Sequence, residues 1–359
     1  MKIPENIKNL NPYIPGKPTE ELERELGIKE SIKLASNENP LGPSPKAISR
    51  IVSEIPKINL YPDSSGYYLR KKIAEKFNWN INGVILGNGS VDIIELAVRT
   101  FCERGDEVLI PASSFIMCKL VAMSAGAKLI EIPLKNYSYD VDGIVNAINK
   151  DTKIVYIDNP SNPLGTYIPK NGWKKIIEAL HSDVLLIADQ AYFEYIDKED
   201  YPNAFDDLKN GANVLVLRTF SKIYGLAGLR IGYGLSKEEI IGYINRVRSP
   251  FNTNSLAQTG AIAALDDVEF VEKSKKLNEE ELQFLTNELK KRGLYVVPSV
   301  ANFVLVDFKE DSIGIYNKLL KEGVIVRPIK NYNLPTCLRI SVGKREENLK
   351  LIKALDKIL

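Results

Sequence analysis

VLVLRTFSKIYGLAGLRIGY, residues 214 to 233, contains two apolar runs that are separated by a short polar break. The first run is rich in Val and Leu, which predicts a buried β-strand, and a second predicted strand, LRIGYGL, follows the break. The break holds Thr219, Ser221 and Lys222, and Arg230 comes eight residues after the lysine. Ligands of α/β proteins bind where strands end, so the role of Lys222 is the question that the rest of the sequence must answer.

Short apolar runs alternate with helical patterns between about residue 84 and residue 234. The predicted strands are EVLIP, AKLIEIPL, TKIVYIDNP, DVLLIADQAY, NVLVLRTF and LRIGYGL. Strands that alternate with helices predict an α/β fold, in which a largely parallel sheet is covered by helices on both faces.

The two ends of the chain differ from this middle part. After about residue 265 a long charged amphipathic helix precedes the strands NFVLVDF, VIVRP and CLRISVG, which predicts a smaller α+β domain. The first 35 or so residues are rich in proline and charge and are expected to pack as an arm on another part of the molecule. We therefore expect an N-terminal arm at 1–35, a large domain at 36–260, and a small C-terminal domain at 261–359 that packs with the arm.

Composition favours a small-molecule partner. The chain has 48 basic and 46 acidic residues, a net charge of +2 and no long block of like charges, so neither nucleic acid nor a membrane is an expected partner. The N-terminal segment lacks the apolar core of a secretory signal, and no apolar run approaches the length of a membrane span, so we expect a cytoplasmic protein. One histidine and three well-separated cysteines make a metal site unexpected.

Polar residues follow three of the predicted strands and one predicted glycine-rich turn. The carboxyl ends of parallel strands gather at one edge of a sheet, so these residues are expected to share a site. Taken singly, each feature is more simply interpreted as a turn, a loop or a helix cap. Together, the residues supply an anion-binding turn, a carboxylate, a phenol, an amide, hydroxyl groups and an amine. The residues concerned are Ser90, Val91, Asn162, Asp189, Tyr192, Thr219, Ser221, Lys222 and Arg230.

Pyridoxal 5'-phosphate catalysis is the chemistry that uses all of these groups. A lysine amine, here Lys222, forms a Schiff base with the cofactor aldehyde. A carboxylate, here Asp189, keeps the pyridine nitrogen protonated, so that the ring can accept electrons from the substrate. Tyr192 and Asn162 would donate hydrogen bonds to the ring hydroxylate and stabilise its ionised form.

The cofactor phosphate requires donors of its own. The glycines of the turn before Ser90 free backbone N–H groups at the start of a helix, where an anion is favoured, so the backbone at Ser90 and Val91 is expected to bind the phosphate. The hydroxyl groups of Thr219 and Ser221 and the guanidinium of Arg230 would add charge-assisted hydrogen bonds to the same dianion.

These motifs resemble those of the fold-type I pyridoxal phosphate-dependent aminotransferases. The pattern S-K-x7-R at residues 221–230 and A-D-x-A-Y at residues 188–192 carry the general resemblance. A narrower resemblance to the histidinol-phosphate aminotransferases runs through LASNENPLGPSPKAI (34–48), YPDSSGYYLRKKIA (61–74), TFSKIYGLAGLRIGYG (219–234), RSPFNTNSLAQ (248–258) and LRISVGKREEN (338–348). The resemblance implies a seven-stranded, mostly parallel sheet between helices in the large domain, a small α+β domain and an N-terminal arm.

The resemblance also assigns roles to residues outside the strand ends. It implies that Tyr61 reaches the cofactor phosphate of the neighbouring subunit, which would make the enzyme a homodimer. Phe115 would stack on the pyridine ring. Arg339 would bind the substrate α-carboxylate, and Arg327 and Tyr13 would face the far end of the substrate, where histidinol phosphate carries its phosphate.

The implied reaction is a ping-pong transamination of histidine biosynthesis, between histidinol phosphate and 2-oxoglutarate on one side and imidazole-acetol phosphate and glutamate on the other. Lys222 would move the proton as general acid and base.

An aromatic or broad-range aminotransferase and a threonine-phosphate decarboxylase remain alternatives, because both would keep Lys222, Asp189 and Arg230. A cofactor-binding module without turnover is disfavoured, since both substrate arginines are present. Some pocket positions depart from the family pattern, among them Gln190 where Glu is usual and Leu164 where Thr is usual.

Overall fold

The computed structural model describes all 359 residues. In chain order its strands are β1 Ile32–Lys33, β2 Val84–Gly87, β3 Glu107–Pro111, β4 Lys128–Ile132, β5 Leu134–Lys135, β6 Ser138–Tyr139, β7 Thr152–Asp158, β8 Leu185–Asp189, β9 Val214–Thr219, β10 Gly232–Leu235, β11 Tyr295–Val297, β12 Phe303–Asp307, β13 Val324–Ile325, β14 Arg327–Pro328 and β15 Cys337–Ser341. Its helices are α1 Glu5–Lys8, α2 Thr19–Leu26, α3 Pro45–Glu54, α4 Tyr67–Phe77, α5 Ser90–Phe101, α6 Ile116–Ala125, α7 Val141–Ala147, α8 Lys170–Ala179, α9 Ala204–Lys209, α10 Glu238–Val247, α11 Ser255–Leu265, α12 Val268–Lys291, α13 Ser312–Lys321 and α14 Arg345–Ile358.

A seven-stranded sheet in the order β2-β10-β9-β8-β7-β3-β4 forms the centre of the molecule. Only β10 runs antiparallel to its neighbours, so the sheet is mostly parallel, as the sequence predicts. Alternate residues of β8 enter two separate apolar layers: Leu186 and Ala188 face one layer, and Leu185 and Ile187 face the other. Burial on both faces explains why the strands read as continuous apolar runs.

A four-stranded antiparallel sheet in the order β11-β12-β15-β14 lies in the C-terminal part of the chain. The helices α12, α13 and α14 contribute apolar side chains to the core beside it. The N-terminal segment joins this unit, because β1 pairs in parallel with β13 and Leu34 is buried in the same core. None of the helices combines the length and the apolar character that a bilayer crossing requires.

The strands of the seven-stranded sheet do not all match the sequence prediction. AKLIEIPL is interrupted at Pro133, which separates β4 from β5. LRIGYGL forms a strand only from Gly232 onward, because Arg230 adopts a left-handed backbone with φ 55°. The segment VILG was not predicted as a strand, yet it forms β2 at the sheet edge beside β10.

The central strands β7, β8 and β9 run in parallel and therefore end on the same side of the sheet. Asp158 at the end of β7 lies opposite Asp189 at the end of β8, and Asp189 lies opposite Leu217 of β9. This register brings the polar segments that follow the three strands to one edge.

Candidate active site

One cavity at this edge gathers ten of the predicted site residues. It is lined by Ser90, Val91, Phe115, Asp158, Pro160, Asn162, Asp189, Ala191, Tyr192, Thr219, Ser221, Lys222 and Arg230. The other four predicted residues, Tyr13, Tyr61, Arg327 and Arg339, lie outside this lining.

Lys222 stands in the cavity on the loop that follows β9. Its amine donates a hydrogen bond to the carbonyl of Ser36 at 3.1 Å and lies 5.8 Å from the centre of the Tyr192 ring. Burial, together with the positive charge of Arg339, lowers the pKa of Lys222 to about 7. A substantial fraction of this amine is therefore neutral near pH 7 and can act as a nucleophile or base.

Gly225 allows the Lys222 loop to approach the backbone at Gly42. The N–H of Gly225 donates to the carbonyl of Lys222 at 2.9 Å, which closes a turn. Its backbone has φ 69°, and a side chain there would overlap the carbonyl oxygen of Gly42. The loop keeps its path because this position carries no side chain.

Asp189 is the carboxylate at the floor of the cavity. Its side chain is buried and accepts hydrogen bonds from the hydroxyl of Tyr156 at 3.0 Å and from the N–H of Ala191 at 3.1 Å. Burial raises the pKa of Asp189 to about 6, although the Tyr156 hydrogen bond acts in the opposite direction. A buried carboxylate of this kind favours a cationic partner in the cavity.

Other residues of the cavity are suited to bind an anion. Ser90 is the first residue of α5, so its N–H is one of the free donors at a helix N-terminus. The guanidinium of Arg230 donates to the hydroxyl of Ser221 at 3.4 Å and to the carbonyl of Ala227 at 3.0 Å, neither of which neutralises its charge. The hydroxyl of Thr219 accepts the N–H of Ser221 at 3.0 Å, which shapes the turn before Lys222.

Tyr192, Asn162 and Phe115 also line the cavity. The Tyr192 hydroxyl accepts a hydrogen bond from the side chain of Asn37 at 2.9 Å, and burial raises the pKa of Tyr192 above its usual value. The Asn162 side-chain oxygen accepts a hydrogen bond from Arg339 at 2.5 Å. Phe115 directly precedes α6 and contributes a second aromatic ring to the lining, beside that of Tyr192.

Two arginines lie on neighbouring strands of the small sheet, and one of them contacts the cavity lining. Arg339 on β15 pairs with Arg327 on β14 in the small sheet. Arg339 is buried, donates to Asn162 and to the carbonyl of Ala35 at 2.6 Å, and leaves its Nε without a partner. A buried guanidinium with an unused donor and no carboxylate partner is suited to an anionic ligand.

Arg327 is the more accessible of the two. It donates to the carbonyl of Ile14 at 2.5 Å, and its guanidinium lies 5.5 Å from the centre of the Tyr13 ring. The backbone of Ile14 and the aromatic face of Tyr13 therefore hold Arg327 in place.

Comparison with known proteins identifies the family. A sequence profile described as aminotransferase class I and II matches residues 29–355. The chain belongs to this family. It is 46% identical to a histidinol-phosphate aminotransferase of Anaeromyxobacter sp. (strain Fw109-5), with 99% of each chain covered. It is 44% identical to one of Caldicellulosiruptor saccharolyticus, again with 99% of each chain covered.

A solved structure agrees with both the family and the fold. The aminotransferase superposes with a TM-score of 0.90 on the crystal structure of histidinol-phosphate aminotransferase from Sinorhizobium meliloti in complex with pyridoxal-5'-phosphate. The match covers 99% of this chain and 97% of that chain at 28% identity. The predicted fold and the resemblance to histidinol-phosphate aminotransferases are thus confirmed.

Tyr61 lies on the surface of the aminotransferase and not in its own cavity. Its side chain is 83% exposed and stacks on Phe251 with 4.7 Å between the ring centres.

Three polar residues beside the cavity were not identified from the sequence. Asn37 binds the hydroxyl of Tyr192, Tyr156 binds Asp189, and Asp158 lines the cavity itself. Asp158 and Tyr156 belong to a predicted strand, and the acidic end of that strand was the available signal. Asn37 offered no comparable signal, because it lies in a loop remote in sequence from Tyr192.

Proposed function

We propose that this aminotransferase transfers the amino group between glutamate and imidazole-acetol phosphate, and thereby forms histidinol phosphate in histidine biosynthesis. The observation that carries the proposal is the position of the Lys222 amine, which shares one cavity with Asp189, Tyr192 and Asn162 and has a lowered pKa. The names of its relatives supply the substrate, and they do not favour the aromatic, decarboxylase or non-catalytic alternatives.

Pyridoxal 5'-phosphate fits the charges of the cavity. Asp189 presents a buried carboxylate, which suits a protonated pyridine nitrogen, and Arg230 with the start of α5 suits a phosphate. Tyr192 and Asn162 would hydrogen-bond the ring hydroxyl group, and Phe115 would cover a ring face. When bound, the cofactor supplies an electron sink that stabilises negative charge at the substrate α-carbon.

Lys222 performs the proton transfer in this proposal. An amine with a pKa of about 7 divides between its neutral and charged forms near neutral pH, so it can accept a proton from the substrate α-carbon and later return one. The hydrogen bond to the carbonyl of Ser36 limits the directions in which the amine can point.

The two arginines bind the charged ends of the substrates. Arg339 would bind the α-carboxylate of glutamate, because its buried guanidinium already meets Asn162 at the cavity wall. Arg327 and Tyr13 would contact the distal anion, which is a carboxylate in glutamate. Histidinol phosphate has no α-carboxylate and carries a phosphate, and arginine binds both kinds of anion, so the same pair can serve both half-reactions.

A homodimer would complete the site with Tyr61 from the second subunit. The proposal is supported by the many large apolar side chains that are exposed within residues 48–68, the segment that contains Tyr61, and by exposed Phe251, on which Tyr61 stacks, since exposed apolar surface marks interaction sites. They are Ile48, Val52, Ile55, Ile58, Leu60, Tyr61, Tyr67, Tyr68 and Phe251.

We also propose the division into an arm at 1–35, a large domain at 36–260 and a small domain at 261–359. The seven-stranded sheet falls within the second range and the four-stranded sheet within the third. The pairing of β1 with β13 supports packing of the arm on the small domain.

The proposed function is tested by separating the half-reactions. Enzyme loaded with pyridoxal phosphate is first converted by glutamate to the amino form of the cofactor, and the return of the original absorbance is then followed with imidazole-acetol phosphate or with phenylpyruvate. Much faster recovery with imidazole-acetol phosphate is expected. Equal or faster recovery with phenylpyruvate would retain the transamination and remove the proposed substrate.

A further inference from the structure

Asp158 is a second buried carboxylate in the cavity. It ends β7, lies opposite Asp189 in the sheet register, and is 3% exposed. The proposed roles of the other cavity residues do not require it, and yet a carboxylate is costly to bury unless donors surround it. Its hydrogen bonds therefore indicate what it does.

Three donors converge on the two oxygens of Asp158. The backbone N–H of Asn162 donates to Oδ2 at 2.7 Å, and the backbone N–H of Phe115 donates to the same oxygen at 3.2 Å. The hydroxyl of Tyr139 donates to Oδ1 at 2.5 Å. One side chain thus joins the end of β7, the loop that carries Asn162, the start of α6 and the hairpin β5–β6.

Two of these partners are the residues proposed to contact the cofactor ring. Phe115 would cover a face of the ring, and Asn162 would reach its hydroxyl group while also accepting Arg339. Asp158 accepts a hydrogen bond from the backbone N–H of each residue. It therefore fixes the backbone positions from which the two side chains extend, and it does not need to contact the ring itself. Its Oδ2 binds two amide N–H groups, which can only donate, and this arrangement requires an acceptor at that position.

Loss of the acceptor would leave two amides without partners beside the cavity. Burial raises the pKa of Asp158 to about 7, while the hydrogen bonds from Tyr139 and Asn162 act in the opposite direction. Either protonation state keeps Oδ2 available as an acceptor, because a proton can reside on Oδ1 towards the Tyr139 hydroxyl.

We propose that Asp158 is a positioning residue of the cofactor site, whose carboxylate fixes the backbones of Phe115 and Asn162 and so places the two side chains against the pyridoxal ring. This inference rests on the proposed function, because it requires that pyridoxal phosphate occupies the cavity.

The test compares pyridoxal phosphate binding by full-length variants from which the cofactor has been removed. Asp158→Ala removes the acceptor and is expected to weaken the affinity about 10- to 100-fold and to change the visible circular dichroism of the bound cofactor, which reports how the ring is held. Asp158→Asn keeps an oxygen for the two amides and an NH₂ group towards Tyr139, whose hydroxyl can turn to accept. We expect this variant to remain within about threefold of the wild type.

Asp307 provides a matched control. It also ends a strand, is 3% exposed, and accepts a tyrosine hydroxyl, from Tyr137 at 2.6 Å, and a backbone N–H, from Lys309 at 2.9 Å. It does not line the cavity. Asp307→Ala is expected to lower the melting temperature and to leave the affinity for pyridoxal phosphate and the circular dichroism unchanged.

The outcomes separate the inference from the proposed function. If the wild type does not bind pyridoxal phosphate, the proposed function fails first. If the wild type binds and folded Asp158→Ala binds equally well, the positioning role alone is wrong, and an Asp158→Asn variant as weak as Asp158→Ala would refute it too. If Asp158→Ala does not fold, Tyr139→Phe is the deciding variant, because it removes one donor to Asp158 and keeps the side-chain volume. A weakening of the affinity for pyridoxal phosphate by about two- to fivefold supports the positioning role of Asp158, and an unchanged affinity overturns it.

Discussion

The floor and the mouth of the active site are built in different ways. The floor, formed by Asp189, Thr219, Ser221 and Lys222, comes from the ends of two adjacent strands of one sheet. The residues proposed to bind substrates, which we call the mouth, are Arg339, Arg327 and Tyr13, and they come from the small sheet and from the N-terminal segment. The floor residues are thus held by one sheet, whereas the proposed substrate-binding residues depend on how separate parts of the chain pack.

The two arginines of the mouth differ in burial. Arg339 is 8% exposed and has two hydrogen bonds inside the protein. Arg327 is more exposed and rests against Tyr13, whose side chain is itself 45% exposed. Charge interactions strengthen with burial, so we expect the effect of a substitution to fall from the floor, through Arg339, to Arg327.

Substitution of the floor lysine is expected to have the largest effect. Lys222→Ala removes both the nucleophile and the proposed proton carrier, and should lower kcat of the glutamate half-reaction by at least about 10³-fold. Single-turnover absorbance measures this rate. Lys237→Ala is the matched control, because Lys237 is a partly buried lysine that binds Asn213 at 2.7 Å outside the cavity. Near-normal turnover by Lys222→Ala would contradict the assignment.

Substitution of the buried arginine comes next. Arg339→Met should lower kcat/KM for glutamate about 100-fold, since loss of a buried charge partner typically costs about 2–5 kcal/mol. Arg339→Lys should fall between this variant and the wild type, because lysine keeps the charge but not the paired donors. Steady-state kinetics with varied glutamate measures both, and an unaffected kcat/KM in Arg339→Met would refute the substrate role.

The exposed arginine is expected to matter less. Arg327→Met should lower kcat/KM for glutamate and for imidazole-acetol phosphate about tenfold and leave the affinity for pyridoxal phosphate unchanged, because partly solvated charge pairs are weaker. A loss equal to that of Arg339→Met would remove the proposed gradient within the mouth.

The last prediction concerns the stability of the cofactor-free protein and not catalysis. An unfolded chain leaves Lys222 near its ordinary pKa of 10.5, whereas burial lowers the pKa to about 7 in the fold, so the charged amine opposes folding below pH 7. This cost declines as the pH rises from 7 towards 10.5. The melting temperature of Lys222→Met, relative to the wild type, should therefore be highest below pH 7 and should decrease up to pH 10. A difference that does not vary with pH would show that the amine is not desolvated in the folded protein.

The contrast between the floor and the mouth also explains how much of the active site could be predicted from the sequence. Asp189, Thr219 and Lys222 directly follow apolar runs, so the rule that ligands bind at strand ends finds them without the structure. The link between Asn37 and Tyr192 spans 155 residues and has no periodic pattern to reveal it. Likewise, Asp158 could be read as the end of a strand, but its bond to Phe115 depends on where α6 begins after folding.

The apolar pattern of the sequence also did not reveal the local backbone conformation at Arg230. LRIGYGL reads as one strand by composition, but the left-handed backbone of Arg230 delays the strand and leaves the guanidinium beside Ser221. This arrangement is set by the contacts of the folded loop, which outweigh the local preference of the apolar run.

Gly225 also limits which amino-acid substitutions the Lys222 loop can tolerate. Its left-handed backbone and its contact with Gly42 each disfavour a side chain, so alanine there would strain the turn and push against the neighbouring backbone at once. In a library of random substitutions, position 225 should return few active clones although glycine contributes no group to the reaction. Mutational tolerance along this loop is therefore governed by backbone shape as well as by chemistry, and a design that replaces Lys222 or its neighbours must retain the glycine.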